Sequence, residues 1–224
     1  MRSPRLTTEP TTPSMEPSQS LEVEITFDVD PETEVPDWTQ VPLVVTVAEP
    51  EVRELDAVYY DTAEYVLGRA GYALRRREGG PDAGWHLKGP RQGSGRMETG
   101  WPLDIGGDTA SVTGVPPEIA AHIGDLTTDP LVVIARIRNT RTAYALRDAE
   151  GGILAEMVDD RVRTRDEQRG MEQAWREWEI ELGPAAPEDA DACAAFFDAV
   201  TVAAYAKGAR EASSDSKLAR ALGV

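Results

Sequence analysis

Near each end of the chain, acidic side chains are spaced so that they could hold a hard cation. In LEVEITFDVD, residues 21–30, Glu22, Glu24, Thr26, Asp28 and Asp30 alternate with Leu21, Val23, Ile25, Phe27 and Val29. In AWREWEIEL, Glu177, Glu179 and Glu181 alternate with Trp178, Ile180 and Leu182. Alternation at period two describes a β-strand with one apolar and one charged face. Carboxylates crowded on one face repel each other unless Mg²⁺ or Mn²⁺ sits between them. ILAEMVDD adds Glu156 and Asp160 on one face; a bulge would present Asp159 instead.

The basic residues are sorted in the same way. YALRRRE puts Arg75 and Arg77 on one face, and WHLK puts His86 with Lys88. LVVIARIRN puts Ile134, Arg136 and Arg138 on one face, opposite Val133, Ala135 and Ile137, and GRMET puts Arg96 with Glu98. Arginines at i and i+2 stand about 6.5 Å apart and repel by roughly 2–3 kcal/mol at an effective dielectric near 20. A β-sandwich with wetted charged faces explains the alternation. It does not explain the segregation by sign. A closed sheet with the charged faces inward does: arginines grip a multiply charged anion through several bonds, and carboxylates hold a divalent cation against it. Such a set is suited to phosphoryl chemistry.

Positioning these faces requires eight or nine mostly antiparallel strands, since most lie in neighbouring pairs. LVVIARIRN and TRTAYALRD read as two of them, and AEGG at 149–152 as a hairpin turn. Helices expected over 62–70, 116–123 and 187–206 would cover outward apolar faces, the first capped by Asp61 or Thr62. Residues 104–115 read as a glycine-rich loop that lacks the lysine of a phosphate-binding P-loop.

Composition narrows the function classes. The chain has 224 residues, a net charge of −17 and one cysteine. That acidity argues against coating DNA or lying on a membrane, without excluding a local basic pocket. A lone Cys193 fits a reducing compartment, here the cytoplasm. No apolar run is long enough for a transmembrane helix, and the Pro-, Ser- and Thr-rich start, residues 1–19, reads as a disordered leader.

Taken in order, Glu22-Val-Glu24, VYYDT (58–62), ALRRR (73–77), WHLKGP (85–90), RMETGWPL (96–103), ARIRNTR and EWEIEL (177–182) resemble the CYTH domain, or triphosphate tunnel metalloenzyme, family over about residues 20–220. The resemblance implies an α+β fold: an eight-stranded antiparallel β-barrel with flanking helices, spanning 20–210 with a tail at 211–224. It implies a metal-dependent triphosphatase acting on a short triphosphate, inorganic triphosphate first. A polyphosphate- or nucleotide-binding module with weak turnover and an adenylate cyclase are the alternatives. Glu22, Glu24, Arg75, Arg77 and Lys88 would be catalytic, and Arg96, Arg136 and Arg138 would bind substrate. Glu22, Glu24, Glu98, Asp160, Glu177, Glu179 and Glu181 would hold Mg²⁺ or Mn²⁺, Glu179 most directly. Partners would be small triphosphates or polyphosphate, not DNA or a membrane, with a homodimer left open. One departure stands out: the family's opening Glu-x-Glu-x-Lys has Thr26 in place of the lysine, which would reduce the rate. The run DSKLARAL resembles the end of CYTH domains that continue into a helical CHAD domain, so the sequence is read either as a naturally short protein or as a piece of a longer one.

Overall fold

Alternating strands close into a ring in the computed structural model, which describes residues 17–93, 95–105, 114–214 and 216–224. The strands are β1 (Ser18–Val29), β2 (Thr46–Val47), β3 (Glu51–Thr62), β4 (Ala73–Glu78), β5 (Gly84–Gln92), β6 (Gly95–Trp101), β7 (Leu131–Arg147), β8 (Ile153–Asp166), β9 (Glu172–Leu182) and β10 (Arg210–Glu211). Among the described residues four α-helices accompany them: α1 (Val66–Arg69), α2 (Pro117–His122), α3 (Ala190–Ala206) and α4 (Lys217–Leu222). All pairings are antiparallel, in the order β1-β6-β5-β4-β3-β7-β8-β9, and β9 pairs back onto β1. The result is a closed eight-stranded barrel, with β2 and β10 as short additions on β7 and β1. The leader's residues 1–16 and most of the glycine-rich loop, 106–113, lie outside the described residues.

One expectation needs correcting: the segments read as two strands between 131 and 148 are a single 17-residue strand, β7. Nothing in TRTAYALRD forces a turn, so the ladder with β8 runs unbroken from Ala135 to Leu146.

Strand β9 shows how parity sorts the molecule. Trp178 and Ile180 are fully buried on the outer side, where α3 brings Phe196, Val200 and Ala204 against them. Trp38 meets Trp178 edge to face at 6.3 Å, an arrangement that aromatic quadrupoles favour. Glu177, Glu179 and Glu181, on the opposite parity, are turned into the barrel. Helix α3 starts where the Asp189 carboxylate accepts the Ala192 N–H and ends before Gly208, whose φ of 92° suits glycine. A second outer cluster packs α1 and α2 through Leu67, Ile119 and Ile123 onto Leu74, Trp85 and Trp101. Helix α1 begins later than expected, at Val66 with Tyr65 rather than Asp61 or Thr62 at its N-cap; Asp61 nevertheless accepts the N–H groups of Leu67 and Gly68, and Thr62 that of Val66.

A third cluster lies at one end of the bore. Leu218, Ala221 and Leu222 of α4 pack on Ala135, Ile137 and Val162. The tail helix thus plugs the barrel with apolar side chains, and the wall facing it is apolar there.

Candidate active site

One acidic wall comes from two adjacent strands. Across the β1–β9 ladder, Glu24 is opposite Glu181, Thr26 opposite Glu179, and Asp28 opposite Glu177. Glu22, Glu24, Glu179 and Glu181 line the bore together. For Glu24 and Glu181 the crowding registers in their protonation. Burial and then the Glu179 charge raise Glu24 above the usual carboxylate range. Glu181 keeps solvent contact, yet partial burial and then Glu22 and Glu24 push it up to about 7. A divalent cation placed among these carboxylates would offset their mutual repulsion.

The facing wall is basic. Arg75 and Arg77 from β4, Lys88 from β5 and Arg96 from β6 line the same bore. Arg77 is buried and paired with Asp82; burial, then the like charges of Arg75 and Arg141, disfavour its cationic form. The Nε atoms of Arg75 and Arg77 are buried without a hydrogen-bond partner. Buried donors left unsatisfied are costly, and an anion between these side chains would relieve both that cost and the repulsion. Lys88 Nζ lies 2.6 Å from Glu22, linking the two walls.

Glu98 faces inward behind this row. Burial alone would raise it; the His86 hydrogen bond and the charges of Arg75 and Lys88 outweigh that and hold it down at about 2. His86 Nδ1 is 2.6 Å from Glu98, and its Nε2 is 2.9 Å from the Asp82 carbonyl oxygen. Glu98 thus lies between His86 and the Arg75 and Lys88 side chains, at 3.6 and 3.9 Å from the last two.

At the plugged end, Asp160, Glu177 and Glu179 bring three carboxylate oxygens within 4.8 Å of one another. This hard oxygen set could hold Mg²⁺ or Mn²⁺. Lys217 Nζ of α4 stands among them, 3.0 Å from Asp160 and 2.5 Å from each glutamate. Arg141 makes a two-pronged contact with Asp160, at 2.9 and 2.7 Å, and reaches Glu179 at 2.9 Å. Two cations thus already answer most of this trio's charge, whereas Glu24 and Glu181 feel chiefly the charge of Lys88, which is itself paired with Glu22. Asp159, the bulge alternative, faces outward to Arg176 at 2.7 Å.

Two expected phosphate ligands are elsewhere. Arg136 and Arg138 lie on the outer face of β7, sharing Asp56 at 2.6 and 3.2 Å. The inward set on that strand is Ala135, Ile137, Asn139 and Arg141. The expectation failed because α4 fills the barrel there, so on this strand the apolar face is the inner one. Arg141, in the same ARIRNTR run, is the basic residue that β7 sends into the bore. Lys217 was missed as well, since nothing in the sequence says that the tail folds back into the barrel.

Beside the bore, and sharing Ala73, Arg96 and Leu218 with it, opens a largely apolar recess of about 520 Å³ with Tyr65, Tyr72 and Leu222 in its walls. No helix among the described residues is long and apolar enough to cross a membrane.

Comparison with known proteins agrees with this geometry. A family model described as CYTH domain matches residues 20–204. Two uncharacterized Mycobacterium tuberculosis proteins, from strains CDC 1551 / Oshkosh and H37Rv, are 37% identical over 219 residues, covering 93% of this chain and 41% of their own length. The chain therefore spans about two fifths of these curated relatives. Among solved structures, a Bacillus halodurans adenylate cyclase candidate superposes with a TM-score of 0.61 at 19% identity, covering 90% of this chain and 97% of its own. A Hippeastrum adenylyl cyclase candidate, described as having a dominant triphosphatase activity, gives 0.55 at 16% identity, over 91% and 95%. At such identities the likeness is one of fold.

Proposed function

The chain belongs to the CYTH domain family, and from that premise we propose that it is a metal-dependent triphosphatase that draws a short linear triphosphate, inorganic triphosphate first, into the bore. The observation that carries this reading is the pairing of opposite walls. Arg75 and Arg77, with unsatisfied buried Nε atoms, look across one bore at Glu22, Glu24, Glu179 and Glu181. An anion of several charges together with a divalent cation satisfies both walls at once, and neither alone does.

In this reading Arg75, Arg77, Arg141 and Lys88 grip successive phosphates through charge-assisted hydrogen bonds, and Arg96 meets the end nearer the recess. Glu22, Glu24, Glu179 and Glu181 would hold Mg²⁺ or Mn²⁺, with Asp160 and Glu177 behind Glu179. A bound cation would neutralise charge on the phosphate oxygens and lower the pKa of the attacking water. The bore's own side chains hold the phosphates in line and exclude bulk water. Glu98 and His86 act by holding Arg75 and Lys88 in place.

The apolar recess favours a second reading, in which the triphosphate carries an organic group such as a nucleoside, with hydrolysis or cyclisation to cyclic AMP as the outcome. A substrate panel of tripolyphosphate, ATP and other nucleoside triphosphates, scored for phosphate and cyclic AMP with and without EDTA, separates the two. Preference for tripolyphosphate supports the first reading; cyclic AMP as the main product would overturn it.

A further inference from the structure

The outer face of β7 and β8 is the stretch of barrel wall that carries arginines where the helices elsewhere cover apolar side chains. Arg136 and Arg138 project from β7, and Arg161, Arg163 and Arg165 from β8. In the ladder Arg136 is directly opposite Arg165, and Arg138 directly opposite Arg163. Like charges facing each other across an antiparallel pair are destabilising. The carboxylates nearby do not match them. Asp56 serves both Arg136 and Arg138, and Glu167 and Glu172 both serve Arg165, at 3.4 and 3.0 Å. Arg161 and Arg163 are exposed and have no ion-pair partner among the described residues. All this stands on a chain whose net charge is −17, so an ordinary solvated face here would be acidic or mixed.

The arginines also share a shape. Arg136, Arg138, Arg163 and Arg165 line a groove of about 600 Å³. It adjoins at Arg163 and Ala174 a second groove of about 400 Å³, to which Arg161 and Arg210 contribute. The two form a track across the outside of the barrel.

We infer that this track is a second anion site, separate from the bore, that binds linear inorganic polyphosphate along its length. Planar guanidinium forks match phosphate oxygens two at a time. Arginines recurring every second residue, about 6.5 Å apart, offer a repeating set of forks to an extended polymer. No aromatic or large apolar side chain lines the larger groove, and in the smaller one Trp175 already lies under the Arg220 guanidinium, 4.4 Å from its ring centroid. The larger groove therefore gives a nucleobase nothing to stack on and a protein partner no desolvated anchor of the kind that dominates interfaces, and the one aromatic ring of the smaller groove is already stacked by an arginine. What remains is recognition of phosphate alone. The inference does not depend on turnover in the bore.

The test is binding of long-chain sodium polyphosphate to the purified chain by calorimetry, in EDTA and with saturating tripolyphosphate to occupy the bore. The double variant R161Q/R163Q should bind at least tenfold more weakly, with a shallower dependence of log affinity on log salt and a Tm no lower than that of wild type. R138Q, a single surface change, should weaken binding by a smaller factor. The inference is overturned if wild type does not bind, if tripolyphosphate abolishes binding, or if R161Q/R163Q and R138Q both bind like wild type. Equal or tighter binding of duplex DNA or of polyglutamate at matched charge would overturn it too. Loss of hydrolysis in the bore would leave every one of these readouts intact.

Discussion

Lys217 Nζ lies 2.5 Å from Glu179 Oε1, inside the bore and within reach of Asp160 and Glu177. The ammonium group of a tail helix thus occupies the centre of an acidic trio that could hold a divalent cation. Burial alone would lower the pKa of Lys217, but Glu179, Asp160 and Glu177 outweigh it and raise it well above the usual lysine value.

Removing that ammonium exposes the trio's repulsion. Lys217→Ala should lower the Tm measured in EDTA, because deleting one partner of a buried ion pair costs about 3–5 kcal/mol. Saturating Mn²⁺ should restore more stability to the variant than it adds to wild type. Differential scanning fluorimetry with and without Mn²⁺ reads both effects; equal metal-induced shifts would refute the account of the trio.

Arg141 and Arg138 lie three residues apart on β7 but on opposite sides of the barrel wall. Arg141→Lys, which retains charge but loses the two-pronged grip on Asp160, should lower kcat/KM for tripolyphosphate by tenfold or more. Arg138→Ala should change it by less than about twofold, as exposed ion pairs contribute little. The reverse order would return Arg138 to the site.

The contrast between these arginines marks what the sequence could and could not convey. Parity turned Glu22, Glu24, Glu179 and Glu181 inward together with Arg75, Arg77 and Lys88, because their strands have an outer face of Trp178, Ile180, Leu74 or Leu87 that asks for helical cover. The closed eight-stranded barrel was legible from the same alternation and from the family's motifs. On β7 the rule inverts: Ala135 and Ile137 look like an outer apolar face, yet they line a bore plugged by Leu218 and Leu222. That contact joins residues some eighty positions apart, and a strand's local pattern carries no trace of it. Tail lysines such as Lys217 are hidden for the same reason.

Thr26 faces the bore opposite Glu179, where the family's opening motif has lysine. Thr26→Lys would set an ammonium group near Glu179 and the phosphates. Turnover of tripolyphosphate should rise several-fold with little change in Tm. An unchanged or lower kcat would mean that Lys217 or Arg141 already fills that role.

Glu98 gives a pH signature. Its carboxyl is held at about 2 in the fold against an ordinary 4.5. The unfolded chain therefore binds the extra proton between those values, and stability rises with pH across this window. The contribution, on the order of 3 kcal/mol, is complete above about pH 4.5 and is lost as pH falls towards 2. Urea denaturation midpoints between pH 2.5 and 5 should therefore slope upward in wild type and more gently in Glu98→Gln; identical slopes would show that Glu98 gains nothing from His86, Arg75 and Lys88.

Most directly, the account requires the two walls to act together on phosphate. Phosphate release from tripolyphosphate should be readily measurable with Mg²⁺ or Mn²⁺, vanish in EDTA, and fall at least a hundredfold in both Arg75→Ala and Glu24→Gln while each variant stays folded. Tripolyphosphate that binds but is not hydrolysed under any metal would make the chain a binding module, and full activity in either variant would contradict the two-walled bore itself.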